Sequence, residues 1–135
     1  MRGMTGRNAS SLSKFISNMP KLAKLVLGNW SKYDYIGYGS VITSCPLLID
    51  LEFAGVQVSL DLRNWAPTLT DDNRTTFLQN FKEHIAERLT DQGSGKTLTL
   101  SQAVRDAIHA AEATYGIEAI IVTQKGWTLS PAPTA

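Results

Sequence analysis

The chain has 135 residues, of which 43% are hydrophobic and 19% are charged, and it carries a formal net charge of +1. A chain of this length and composition is typical of a single globular domain and is too apolar to be intrinsically disordered. Its single cysteine, Cys45, excludes an internal disulfide and a cysteine-cluster metal site.

The near-neutral total hides an uneven distribution of charge. The first 33 residues carry six basic side chains and no acidic one, whereas the remaining 102 carry seven basic and twelve acidic side chains. A basic segment joined to an acidic body indicates contact with a negatively charged partner. The apolar runs are too short to span a bilayer and no export signal is visible, so we expect a protein made in the cytoplasm that binds no membrane.

The first third of the chain is predicted to contain a tail and a basic helix. Residues 1–9 form the predicted flexible basic tail, and one α+β domain is expected over residues 10–130. Pro20 either ends the first helical stretch or starts a second helix at its first position, and the predicted stop is Gly28, because glycine is the usual residue at a helix C-terminus. The first apolar side chains of the helix recur at helical spacing: Leu12, Phe15, Ile16 and Met19.

Residues 47–63 predict an antiparallel β-hairpin. Two runs of alternating apolar residues flank residues 54–55 (Ala-Gly), which suit a two-residue turn because glycine permits a positive φ. With that turn, eight apolar side chains share one face: Leu47, Ile49, Leu51, Phe53, Val56, Val58, Leu60 and Leu62. Asp50, Glu52 and Asp61 then lie together on the opposite, polar face.

Two helices are predicted after the hairpin. The first begins at Thr70, and its apolar stripe consists of Phe77, Leu78, Phe81, Ile85 and Leu89. The second begins at a capping box formed by Thr99 and Gln102, and it ends at Gly116.

A second hairpin is predicted near the C-terminus. Residues 117–123 form its first, buried strand and residues 127–130 its second, which leaves residues 131–135 as an extended tail. The complete order of elements predicts an α+β fold in which the helices pack on one face of a mainly antiparallel sheet.

No motif for catalysis or cofactor binding has the spacing that its chemistry requires. Residues 93–97 (GSGKT) end like a phosphate-binding loop, but Thr90 stands where the pattern needs glycine, and a helix precedes the loop. His84 and His109 have no second histidine or cysteine at metal-ligand spacing. We therefore expect a protein that is not an enzyme and that has no catalytic residue, cofactor or metal ion.

The candidate site is instead an interface between opposite charges. Paired carboxylates on a strand can act as acid and base or bind a hard cation. Like charges on adjacent strands are unfavourable alone, which favours an external cation beside them. We expect Asp50, Glu52 and Asp61 of one subunit to contact the basic residues of a neighbour: Lys14, Lys21, Lys24 and Lys32.

The predicted order of helix, hairpin and helix, over roughly residues 10–90, resembles that of the tail-terminator and neck proteins of tailed phages. This resemblance implies a non-enzymatic structural protein, namely a ring-forming homo-oligomer and virion component of a bacteriophage tail. Its expected partners are copies of itself and other assembly proteins.

Two other functions remain as alternatives. The first is a small protein-binding inhibitor, such as an immunity or anti-defence protein, whose acidic body covers a basic active site. The second, less favoured, is a single-stranded nucleic-acid binder. Its basic N-terminal segment would contact phosphates, and four aromatic side chains would stack on bases: Trp30, Tyr33, Tyr35 and Tyr38.

Overall fold

The structure, a computed structural model, describes residues 23–30, 46–63 and 65–134. Within these segments the chain forms, in order, β1 (Lys24–Trp30), β2 (Asp50–Val56), β3 (Leu60–Leu62), α1 (Arg74–His84), β4 (Thr97–Leu100), α2 (Gln102–Ala110), α3 (Glu112–Tyr115) and β5 (Thr128–Ser130). A 3₁₀ turn at Ala86–Arg88 follows α1, and a π-helix at Ala119–Gln124 follows α3. Among the helices of these segments, none combines the length and the apolar character that crossing a membrane requires.

The strands form two parallel sheets. β1 pairs with β2 in one of them, and the other has the order β3-β4-β5. Parallel neighbours need a long crossover, usually helical, and here α1 lies in the chain between β3 and β4 while α2 and α3 lie between β4 and β5. The prediction of a fold with both helices and strands is confirmed, but the predicted antiparallel pairing is wrong.

The hairpin predicted over residues 47–63 does not form. Residues 54–55 lie inside β2 rather than in a turn, and β2 and β3 belong to different sheets. Leu47, predicted to face inward, is exposed, whereas Leu48 is fully buried. Alternation predicted strands in this region, with bounds that differ from those of β2 and β3, but it could not show that each one pairs with a strand distant in the sequence.

Two further segments differ from the prediction. Residues 24–28, expected as the end of the N-terminal helix, belong to β1. The rest of the predicted helix and the predicted tail fall on residues 1–22, which lie outside the described residues. Residues 117–124 are helical instead of a strand. Ile117, Ile120 and Ile121 are all buried, and their spacing of three and four residues turns all of them inward only in a helix.

Both helices predicted in the second half do form, with shifted starts. The Thr70 hydroxyl accepts a hydrogen bond from the Asn73 N–H in the turn that precedes α1, and all five residues of the predicted stripe are buried. Ser101, not Thr99, caps α2 and accepts from the Val104 N–H at 3.3 Å, because Thr99 belongs to β4 and pairs there with Asp61 of β3. Gly116 ends α3 at φ +63°, as predicted.

Aromatic rings between α1 and the segment before it organise the core. The Trp65 ring stacks on Phe81 at 6.2 Å between centroids and tilts against Phe77 at 5.5 Å. The indole N–H of Trp65 donates to the Leu48 carbonyl oxygen at 2.8 Å, which satisfies the polar atom of a buried ring. This bond joins the segment before α1 to the chain that enters β2.

Gly93, which the sequence places in a phosphate-loop-like motif, is a packing position in the structure. Its N–H donates to the Lys125 carbonyl oxygen at 3.0 Å, and the buried Trp127 ring lies against it. A Cβ added at Gly93 would collide with that ring and with the Lys125 carbonyl. The Trp127 indole N–H donates to the Thr90 carbonyl oxygen at 2.9 Å, so the loop after α1 is held against the entry to β5.

We expect Gly93→Ala to destabilise the protein by about 2 kcal/mol or more, because overpacking against backbone forces the neighbouring chain to move. The measurement is the free energy of unfolding in urea, and Ser94→Ala, at an exposed position beside it, is the matched control. A Gly93→Ala variant as stable as the control would contradict this packing role.

Candidate functional site

Five charged or polar side chains from four elements meet beside β2; we call Lys24, Asp50, Glu52, His84 and Arg88 the Asp50 cluster. Asp50 and Glu52 lie two residues apart on β2 and therefore share a face. The parallel register sets Lys24 of β1 opposite Asp50. The packing of α1 on β2 brings His84, the last residue of that helix, to the same place.

Short contacts link these side chains. The His84 Nδ1 lies 2.7 Å from Asp50 Oδ1, and the Lys24 ammonium lies 3.2 Å from Asp50 Oδ2 and 3.3 Å from Glu52 Oε1. Arg88 approaches Glu52 Oε2 at 3.6 Å and also donates to the Phe53 carbonyl oxygen. Each carboxylate therefore faces a basic group.

Asp50 needs its basic partners because it is buried. Asp50 is only 9% exposed, and a carboxylate removed from water is costly unless it is paired and hydrogen-bonded. The hydrogen bond from Lys24 to Asp50 is the main cause that raises the pKa of Lys24 above 10.5. The Lys24 side chain is itself 53% exposed, so water competes for its ammonium.

The contact between His84 and Asp50 determines which ring nitrogen stays available. An ionised carboxylate only accepts hydrogen bonds, so His84 donates to it from Nδ1. In the neutral ring the lone pair then resides on Nε2, which lies 3.8 Å from Glu52 Oε1. Asp50, Glu52 and His84 each offer a metal-ligating atom, and these atoms lie within 4.8 Å of one another.

The structure separates the acidic residues that the sequence placed together. Asp50 and Glu52 do share a face, but Asp61 lies on β3 in the other sheet and pairs with Arg63 at 2.8 Å. The predicted three-carboxylate face is therefore wrong, because it depended on the hairpin. Lys24 does contact Asp50 and Glu52, but within one chain.

The other predicted site residues lie largely outside the described residues. Trp30 ends β1, where its backbone is paired opposite Val56. The remaining basic and aromatic candidates belong to the part of the chain that is not described: Lys14, Lys21, Lys32, Tyr33, Tyr35 and Tyr38. His84 and Arg88 are the members of the cluster that sequence reasoning missed. No short-range signal could have found them, because His84 lies 34 residues from Asp50 and Arg88 lies 35 residues from Phe53 along the chain.

A second polar network fastens the C-terminal residues. Arg105, a buried cation on α2, donates to the Glu118 carboxylate and to the Pro131 carbonyl oxygen, and His109 contacts Glu118 at 3.0 Å. Burial alone raises the pKa of Glu118, but the hydrogen bonds from Arg105 and His109 outweigh it and hold the pKa below its usual range. This network joins α2 to the segment before the π-helix.

Asp106 holds the end of the described chain against α2. Its two carboxylate oxygens accept from the Thr134 N–H at 2.8 Å and the Thr134 hydroxyl at 2.7 Å, and Gln102 donates both to Asp106 and to the Ala132 carbonyl. These hydrogen bonds, led by the one from the Thr134 backbone, lower the pKa of Asp106. The predicted tail is thus docked on α2 over residues 131–134.

An open, mostly apolar groove of about 520 Å³ runs between α2 and the segment that leads into α1. We call it the α2 groove, and it is lined by Pro67, Leu69, Arg74, Ala103, Asp106, Ala107 and Ala110. The three alanines lie four and three residues apart, so they form one narrow face of α2. Ala103 and Ala110 are exposed, which leaves this face accessible in the described chain.

Comparisons of the chain with protein-family models, with curated proteins and with solved structures found no match.

We expect Asp106→Asn to release residues 131–134, because an amide cannot accept both hydrogen bonds from Thr134 as a carboxylate does. The lowered pKa means that docking favours the ionised form. Its stabilising effect is therefore complete above the usual carboxyl pKa and is lost as the pH falls through the lowered value, below about pH 4.

The measurement is the protection factor of the Thr134 amide against hydrogen exchange at several pH values. Asp72→Asn, at an exposed carboxylate in the turn before α1, is the matched control. Asp106→Asn should lower the protection at neutral pH, and the difference from the unsubstituted chain should shrink in acid. Equal protection in the two at neutral pH would contradict the docking.

Proposed function

We propose that this chain is a non-enzymatic assembly protein that binds copies of itself through the α2 groove. The single observation that carries the proposal is this open apolar groove with its floor of alanines. Small residues let the backbone of a partner segment approach closely, and removing apolar surface from water supplies the favourable free energy.

The proposed occupant of the groove is the N-terminal segment, residues 10–22, of a neighbouring copy. Its sequence combines apolar residues at helical spacing with Lys14 and Lys21, and it contains no acidic residue. The groove is mostly apolar, and its lining includes one acidic and one basic side chain, Asp106 and Arg74. The part of the chain after residue 33 has a net charge of −5, so it would attract the basic N-terminal segment of a neighbouring copy, which we call the arm.

A contact of arm to groove is heterologous, because the two surfaces differ. Such a contact generates a closed ring when its rotation closes and an open filament when it does not. A ring is the form that the predicted resemblance to tail-terminator and neck proteins implies. That resemblance depended in part on a hairpin over residues 47–63, which does not form. The proposal of a virion component therefore depends on the subunit number, whereas self-assembly depends on the groove.

We expect Ala103→Arg to weaken self-association by about tenfold or more, because it places bulk and a like charge where the basic arm would bind. Ala113→Arg introduces the same side chain at an exposed alanine of α3 and is the matched control. The measurement is molar mass by light scattering over a range of protein concentrations. A strictly monomeric unsubstituted chain, or equal association by the two variants, would refute the proposal.

A mixing experiment tests which surfaces meet. The Ala103→Arg variant keeps an intact arm, and a chain with both Lys14→Glu and Lys21→Glu keeps an intact groove. Each variant alone should associate more weakly than the unsubstituted chain, but the mixture should form a dimer through the one remaining arm-to-groove contact. Failure of the mixture to associate would exclude residues 10–22 as the occupant.

A further inference from the structure

We propose that Asp50, Glu52 and His84 form a binding site for a divalent transition-metal cation, with Zn²⁺ as the preferred ion. In this site the metal takes the place of the Lys24 ammonium. The inference is independent of the proposed assembly function, because it rests on β1, β2 and the C-terminal end of α1 rather than on the α2 groove.

The donor set matches the chemistry of such an ion. Two carboxylates and one imidazole are ligand types that zinc sites use, whereas Mg²⁺ prefers oxygen ligands alone. Zinc holds nitrogen and oxygen ligands at about 2.0–2.2 Å, so two of its ligand atoms lie up to about 4 Å apart. His84 Nε2 and Glu52 Oε1 are 3.8 Å apart, which leaves room for one ion between them.

The Lys24 ammonium marks where a cation is favoured. It lies 3.2 Å from Asp50 Oδ2 and 3.3 Å from Glu52 Oε1, and these are the carboxylate oxygens not engaged by His84 Nδ1 and Arg88. Because the Lys24 side chain is half-exposed, it can leave this position and remain solvated at small cost. A doubly charged ion would interact more strongly with both oxygens than the ammonium does.

The surroundings hold the three ligands in place. Asp50 Oδ1 accepts from His84 Nδ1, which holds these two ligands beside each other. This hydrogen bond would open when the ion binds, because a carboxylate that accepts from Nδ1 lies on the opposite side of the ring from an ion on Nε2. Arg88, through its 3.6 Å contact with Oε2, restrains the Glu52 side chain and is a positioning residue. His84 is the last residue of the 11-residue helix α1, whose C-terminal end carries a partial negative charge.

The test is equilibrium dialysis of the full chain against ZnCl₂, followed by metal analysis, with MgCl₂ as the comparison ion. We expect one Zn²⁺ per chain and much weaker uptake of Mg²⁺. Glu52→Gln and His84→Gln should each weaken zinc binding about tenfold or more. The matched controls, Asp61→Asn on β3 and His109→Gln on α2, should leave the affinity unchanged.

The substitution Lys24→Met distinguishes two roles of the Asp50 cluster: a metal site, or an ion-pair network that only holds β1 to α1. Removing the competing ammonium should strengthen zinc binding several-fold and increase the rise of the melting temperature caused by ZnCl₂. A network without a metal function would lose stability on this substitution and gain no affinity. Absence of zinc uptake by both the unsubstituted chain and Lys24→Met, or equal loss of affinity in the control variants, would overturn the assignment.

Discussion

The parallel pairing of β1 with β2 is the constraint on which the Asp50 cluster depends. Its register sets Lys24 opposite Asp50 and Leu25 opposite Leu51, so one strand pair supplies both a buried apolar contact and a paired charge. Helix α1 then packs on β2 and adds His84. A shift of one residue in this register would turn the charged side chains toward the core and expose the leucines, which makes the pairing strongly specified.

Buried charge connects elements that are distant in the sequence. Asp50 and Arg105 are the buried charged side chains among the described residues, and each is bound by groups from other elements. A buried charge with its partner removed costs several kcal/mol, so these two residues tolerate few alternative arrangements of the chain. Asp50 in this way fixes α1 against β2, and Arg105 fixes α2 against Glu118 and Pro131.

The two proposed binding sites lie at opposite ends of α1. Arg74, its first residue, lines the α2 groove, and His84, its last residue, belongs to the Asp50 cluster. An 11-residue helix is about 16 Å long, so a partner in the groove and a cation in the cluster would bind without touching. Between the two sites, Phe77 and Phe81 of this helix pack on the Trp65 ring.

Local patterns in the sequence determined several elements correctly: the apolar stripe of α1, the glycine stop at Gly116 and the strand character of residues 50–53 and 60–62. These features depend on neighbours within a turn or on the two-residue period of a strand. Only the tertiary structure decided the parallel pairing, the helical form of residues 117–124, the separation of Asp61 from Asp50 and the arrival of His84 beside them. The physical reason is that a strand's partner is chosen by burial on both faces across long stretches of chain, and no pattern of adjacent residues records that choice.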